Sequence, residues 1–210
     1  LLVLLTFVAC NSDDDEVAVV NSSNGLPLTA GVADFSKYVA LGDSFAAGYS
    51  DGALFKTGQE GAYPNIIAQQ LALVGGGEFT TPYMNDDIGG LLFGGNVNPS
   101  YGPRLYFNGA APTPTDGPPT TEVTTKLTGS FNNLGVPGAK SFHLIAPGYG
   151  NFAGLLTPTP TANPYYVRFA SSATSTVLED ALAQSPTFFS LWIGGNDELG
   201  YAIAGGDATV

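Results

Sequence analysis

The chain has one cysteine, one histidine, one methionine and one tryptophan among 210 residues. With Cys10 alone, an internal disulfide framework and a Cys-rich zinc site are excluded. With His143 alone and no clustered ligands, a metal centre is not expected, and one imidazole is left for proton transfer. Charge is sparse as well: 11% of residues are charged, where about a quarter is usual. Basic residues are the scarcest, 6 against 18 acidic, for a formal net charge of -12. Phosphate backbones repel such a chain and no basic patch offsets this, so no nucleic-acid partner is expected. No sequence signature calls for a cofactor.

Long hydrophobic runs are missing too. The longest, residues 1–9 ("LLVLLTFVA"), is too short to cross a bilayer. It fits the end of a signal-peptide apolar region, and the first Met is Met84, so the reading frame is expected to start upstream. Small residues directly before Cys10 resemble a bacterial lipoprotein signal. That resemblance implies cleavage before Cys10 and a membrane anchor on its sulfur. The acidic run that follows ("NSDDDE") resembles a surface-export signal of Gram-negative lipoproteins, which places the expected site at the outer membrane. Residues 10–34 read as an acidic tether, because no hydrophobic period begins before Phe35.

Glycine (28) and proline (15) are abundant, which favours turns and long loops over long helices. Within 35–210, three short apolar segments read as strands: 37–42 ("KYVALG"), 130–135 ("SFNNLG") and 187–197 ("TFFSLWIGGND"). Helices are expected over 62–74, with Ile66, Ile67, Ala68, Leu71 and Val74 on one face, and over 174–185, with Val177, Leu178, Ala181 and Leu182 together. A strand-to-helix turn and short helix are expected over 137–146. Residues 78–128 read as a Gly/Pro-rich insertion with short hairpins, and 147–172 as a second loop. Alternating strands and helices predict an α/β domain with a parallel sheet.

Each expected strand ends in a Gly-containing polar turn: "LGDS", "NLGVPG" and "IGGND". In parallel α/β sheets, sites form beyond the carboxyl ends of the strands. If the strands are neighbours, Ser44, the backbone at Gly138 and the Asn196 amide converge there. They supply a hydroxyl nucleophile and donors for a tetrahedral oxyanion.

In this order the three turns resemble the blocks of the GDSL/SGNH hydrolase family. "ALGDSFAAGY" is similar to the first block, with Phe45 where Leu is most usual; "NLGVPGAKS" is similar to the second and "WIGGNDELG" to the third. The likeness spans about residues 36–145 and 174–205, apart from the insertion. It implies a three-layer α/β/α, flavodoxin-like fold and a serine esterase or lipase acting on carboxylic esters. It assigns Ser44 as nucleophile, Ser44 N–H, Gly138 N–H and the Asn196 amide as oxyanion donors, and Asp43 as a structural residue of the turn. A G-x-S-x-G elbow, the mark of the α/β-hydrolases, is absent.

The family's fourth element, Asp-x-x-His, is absent from these 210 residues. His143 is out of order and has Lys140, not a carboxylate, three residues before it, so it reads as structural or surface. The expectation is that Asp-x-x-His follows Val210, that the sheet here holds only the first three family strands, and that residues 1–210 alone are a poor catalyst. The competing expectation is a non-catalytic surface lipoprotein that binds glycan or lipid through the loop aromatics Tyr83, Phe93, Tyr101, Tyr106, Tyr165 and Tyr166.

Overall fold

Tyr38–Gly42 (β1) is the middle strand of a three-stranded parallel sheet in the computed structural model, which describes residues 22–23 and 26–207. Asn133–Gly135 (β2) lies on one side, in register Ala40↔Asn133 to Gly42↔Gly135. Phe188–Trp192 (β3) lies on the other, in register Tyr38↔Phe188 to Gly42↔Trp192. The strand order is therefore β2-β1-β3, and the carboxyl ends of all three emerge together. Parallel neighbours need long crossovers, and the segments between these strands supply them. The expected α/β class with a parallel sheet is what the chain adopts.

Side chains of β1 alternate between two cores, as the pleat requires. Val39 and Leu41 pack with Leu134, Val136, Tyr166, Val177 and Ala181. Tyr38 and Ala40 pack with Ala68, Ile67 and Leu71 of helix α3 (Tyr63–Ala72). Two short helices precede α3: α1 (Ser44–Ala47) and α2 (Lys56–Glu60). Pro64 sits in the first turn of α3, where its missing N–H costs nothing. The face expected for α3 is only partly right, since Ile66 is exposed and buried Asn65 takes its place.

Two helices follow in the second half, α4 (Pro164–Val167) and α5 (Val177–Leu182). A reciprocal cap starts α5: Thr176 Oγ1 accepts from Glu179 N–H (3.1 Å), and Glu179 accepts from Thr176 N–H (2.8 Å). Val177 and Ala181 are buried as expected, whereas Leu178 and Leu182 are exposed.

Two segments depart from the sequence reading. Strand β3 ends at Trp192, and a helix, α6 (Gly195–Ile203), begins inside the segment read as strand. Gly194, at φ +108°, turns the chain, and Asp197 and Glu198 suit the first helical turn. The supposed loop 147–172 contains α4 and delivers buried Tyr165, Tyr166, Phe169 and Ala170 to the interior. Pattern alone hid this, because the run is too short to show a helical period.

The insertion 78–128 does hold short antiparallel pairs, Leu92–Phe93 with Asn96–Val97 and Leu105–Phe107 with Pro112–Pro114. Polar side chains staple it to the body. Buried Gln59 donates to Pro82 O (3.1 Å) and accepts from Met84 N–H (2.7 Å), and buried Arg168 donates to Tyr83 O (2.8 Å). In the stretch read as a tether, Ser22–Ser23 pairs with Leu26–Pro27 and residues 28–34 carry no helix or strand. Cys10 and the apolar residues before it lie outside the described residues.

Candidate active site

The turn after β1 is built to present Ser44. Asp43, buried, accepts Phe45 N–H at its Oδ1 (3.0 Å) and donates its own N–H to Trp192 O (3.1 Å). Burial pushes its carboxyl up from the ordinary range. Ser44 opens α1 and is partly exposed. Its N–H is among those a helix start leaves without an intrahelical partner.

Two residues of β2 hold α1 against the sheet. Buried Asn133 donates through Nδ2 to Ala46 O (2.9 Å) and accepts Gly135 N–H (2.9 Å). Gly135 lies so close that a Cβ there would stand 2.3 Å from Ala47 N. Only glycine allows that approach.

The second turn reaches the nucleophile directly. Gly138, at φ +79°, donates its N–H to Ser44 Oγ at 3.3 Å. The third turn joins the second rather than the first. Asn196 donates through Nδ2 to Ala139 O (2.8 Å), one residue beyond Gly138. Asp197 accepts Ser141 N–H (2.9 Å) and Ser141 O–H (2.7 Å). These hydrogen bonds hold the Asp197 carboxyl below its ordinary value. Ser44 and Gly138 are thus in contact, while Asn196 is one step removed and not bonded to Ser44. Its amide carries a second N–H besides the one on Ala139.

His143 is placed elsewhere. Its Nδ1 accepts Lys140 N–H (2.9 Å), and its ring stacks on Tyr149 with centroids 4.3 Å apart. Burial and the Lys140 charge lower its pKa. No hydrogen bond joins it to Ser44, in keeping with the structural reading.

Ser44 and Gly138 open into a cleft of about 420 Å³ walled by Tyr49, Ser100, Tyr101, Pro137, Asn163 and Tyr165. Ser100 and Tyr101 come from the insertion, on a 3-10 turn at Pro99–Tyr101. Ring contacts support the wall: Tyr101 meets Tyr165 edge-on (5.8 Å), Tyr49 meets Tyr165 edge-on (6.5 Å), and Phe93 stacks on Tyr101 (5.9 Å). No charged side chain lines this cleft.

The idea of a loop-aromatic binding surface needs correcting at two of its six residues. Tyr165 is 4% exposed and Tyr166 is 0% exposed, with Tyr166 O–H donating to Asp180 Oδ2 (2.6 Å). Both are core residues, and Tyr165 also lines the cleft. Tyr83 and Tyr106 are exposed.

Asn133, Asn163, Tyr49 and Ser100 escaped sequence reasoning. Asn163-Pro164 did carry a signal, an N-cap residue followed by proline at the first helical position. Among the described residues there is no cluster of three or more His, Cys, Asp or Glu that could hold a metal, and no helix long and apolar enough to cross a membrane. No family model, no curated protein and no solved structure matches the chain.

Proposed function

We propose that this chain carries the nucleophile and oxyanion-binding half of a serine ester hydrolase similar to the GDSL/SGNH family, with its three-layer α/β/α plan. The observation that carries the reading is the 3.3 Å approach of Gly138 N–H to Ser44 Oγ at the carboxyl end of a parallel sheet. Ser44 Oγ attacks the ester carbonyl and its proton passes to a base. The carbonyl oxygen, now anionic, is held by the N–H groups of Ser44 and Gly138 and by the free N–H of Asn196. Collapse breaks the ester C–O bond, the alcohol leaves with the proton, and water then releases the acid from Ser44.

The base on this reading is the histidine of an Asp-x-x-His beyond residue 210, since His143 is engaged elsewhere. The uncharged, tyrosine-lined cleft suits an uncharged ester and offers no counter-charge to a phosphate headgroup. Anchoring at the outer membrane through Cys10 belongs to the same proposal.

The test is fluorophosphonate labelling of the protein made from its whole reading frame. Labelling should be lost in Ser44→Ala, and residues 1–210 alone should label slower by several orders of magnitude. A protein that labels equally well with Ala at 44 sinks the assignment. One that never labels favours a binding role instead.

A further inference from the structure

We infer that Asn163 is a positioning residue for the oxyanion site, acting through the Pro137–Gly138 peptide; the inference rests on the esterase reading above. Asn163 Nδ2 donates to Pro137 O at 2.8 Å. That carbonyl and the Gly138 N–H belong to one peptide unit, and no peptide bond among the described residues is cis. In a planar trans peptide the C=O and N–H point in opposite directions. Holding Pro137 O from behind therefore aims Gly138 N–H forward, at Ser44 Oγ. A hydrogen bond accepted by the carbonyl also polarises the unit and strengthens its N–H as a donor.

This peptide is the middle one of a turn closed by Ala139 N–H donating to Val136 O (3.0 Å), and the orientation of the middle peptide is what distinguishes one turn type from another. Gly138 sits at φ +79° with nothing within 4 Å of where a Cβ would be, so no neighbour restrains it there by contact. Asn163, by contrast, is locked on every side. Its second Nδ2 proton goes to Tyr149 Oη (3.1 Å), its Oδ1 accepts from Tyr165 N–H (3.0 Å) and Tyr166 N–H (3.4 Å), and its N–H donates to Tyr149 O (2.8 Å). Although Asn163 lines the cleft, its amide is fully committed to the protein. It links the core helix α4 to the peptide whose N–H donates to Ser44 Oγ.

Asn163→Asp separates this role from helix capping. The carboxylate still caps α4, but it cannot donate to Pro137 O and sets one oxygen against another. The full-reading-frame protein should lose ten- to a hundredfold in kcat for p-nitrophenyl acetate and in the rate of Ser44 phosphonylation. KM should change by less than threefold and the melting temperature little. Asn163→Ala, which loses cap and hold together, should show the same rate loss and a lower melting temperature. The Gly138 amide proton resonance should shift in both variants, a readout that needs no turnover.

Wild-type rates in Asn163→Asp, or a loss seen only in KM, overturn the inference while leaving the esterase reading intact. If the wild-type protein neither labels nor turns over, the esterase reading fails and the catalytic role of Asn163 fails with it. An unmoved Gly138 resonance overturns the peptide hold whatever the activity.

Discussion

β1 and β3 are neighbours of equal length and both largely apolar, YVALG and FFSLW, yet they live in different environments. Every residue of β1 is buried. In β3, Phe189, Leu191 and Trp192 are exposed and none of the five is fully buried. Leu41 and Leu191 face each other in register, and they are 6% and 52% exposed. Hydrophobicity says that a segment is a strand; its neighbours decide how much that burial stabilises. The helices after the strands differ in the same way. Helix α1 is pressed onto β2, whereas α6 has no buried residue. The nucleophile thus follows the buried strand and Asn196 follows the open one.

The sharpest way to break this comparison is the same substitution on both sides. Leu41→Ala should cost about 2–5 kcal/mol, the transfer and cavity terms of a core leucine. Leu191→Ala should cost less than about 1 kcal/mol, since little is removed from a side chain half in water. Urea midpoints measure both. Equal losses would mean that the edge strand is covered in solution.

The glycines give the next largest contrast. Gly135→Ala drives a methyl into the backbone at Ala46–Ala47 and should cost about 1–3 kcal/mol. It should also slow Ser44 labelling, because α1 carries Ser44. Gly195→Ala meets nothing nearer than Asp43 Oδ2 at 3.8 Å and lies in a helix, where Ala is favoured over Gly by up to about 1 kcal/mol. Thermal melts should show the first variant destabilised and the second unchanged or slightly raised.

The same contrast explains what the sequence made legible. The three strands, their order of polar turns and the Ser44–Gly138 approach follow from short apolar runs that end in glycine, a local signal. Helix α6 was missed because residues 187–197 read as one strand, and the stop at Gly194 depends on a positive φ that glycine permits but does not announce. The cleft wall was missed for a different reason. Tyr101 reaches Tyr165 across 64 residues of sequence, and the insertion that carries it is held by Gln59 and Arg168, polar residues whose burial no hydrophobic pattern reveals. Asn163 shows both limits: its cap was local and readable, its hold on Pro137 long-range and not.

The smallest expected effect probes how the open side is tied down. With no buried residue in α6, Asp197 on Ser141 and Asn196 on Ala139 are its polar links to the second turn. The Asp197 carboxyl is held below its ordinary value in the folded chain by the Ser141 hydrogen bonds. A depressed carboxyl contributes stability that is fully present above its unfolded pKa, about 3.9, and that is lost as pH falls through the folded value. Asp197→Asn should therefore lie slightly below wild type in urea midpoint at pH 7, with the gap closing below pH 4 as wild type loses the same charge. Because the group is exposed, solvent screens the effect and it should be the weakest of the set. A gap that persists undiminished at low pH would show that Asp197 acts through shape rather than charge. The open side would then be held by packing, as β1 is.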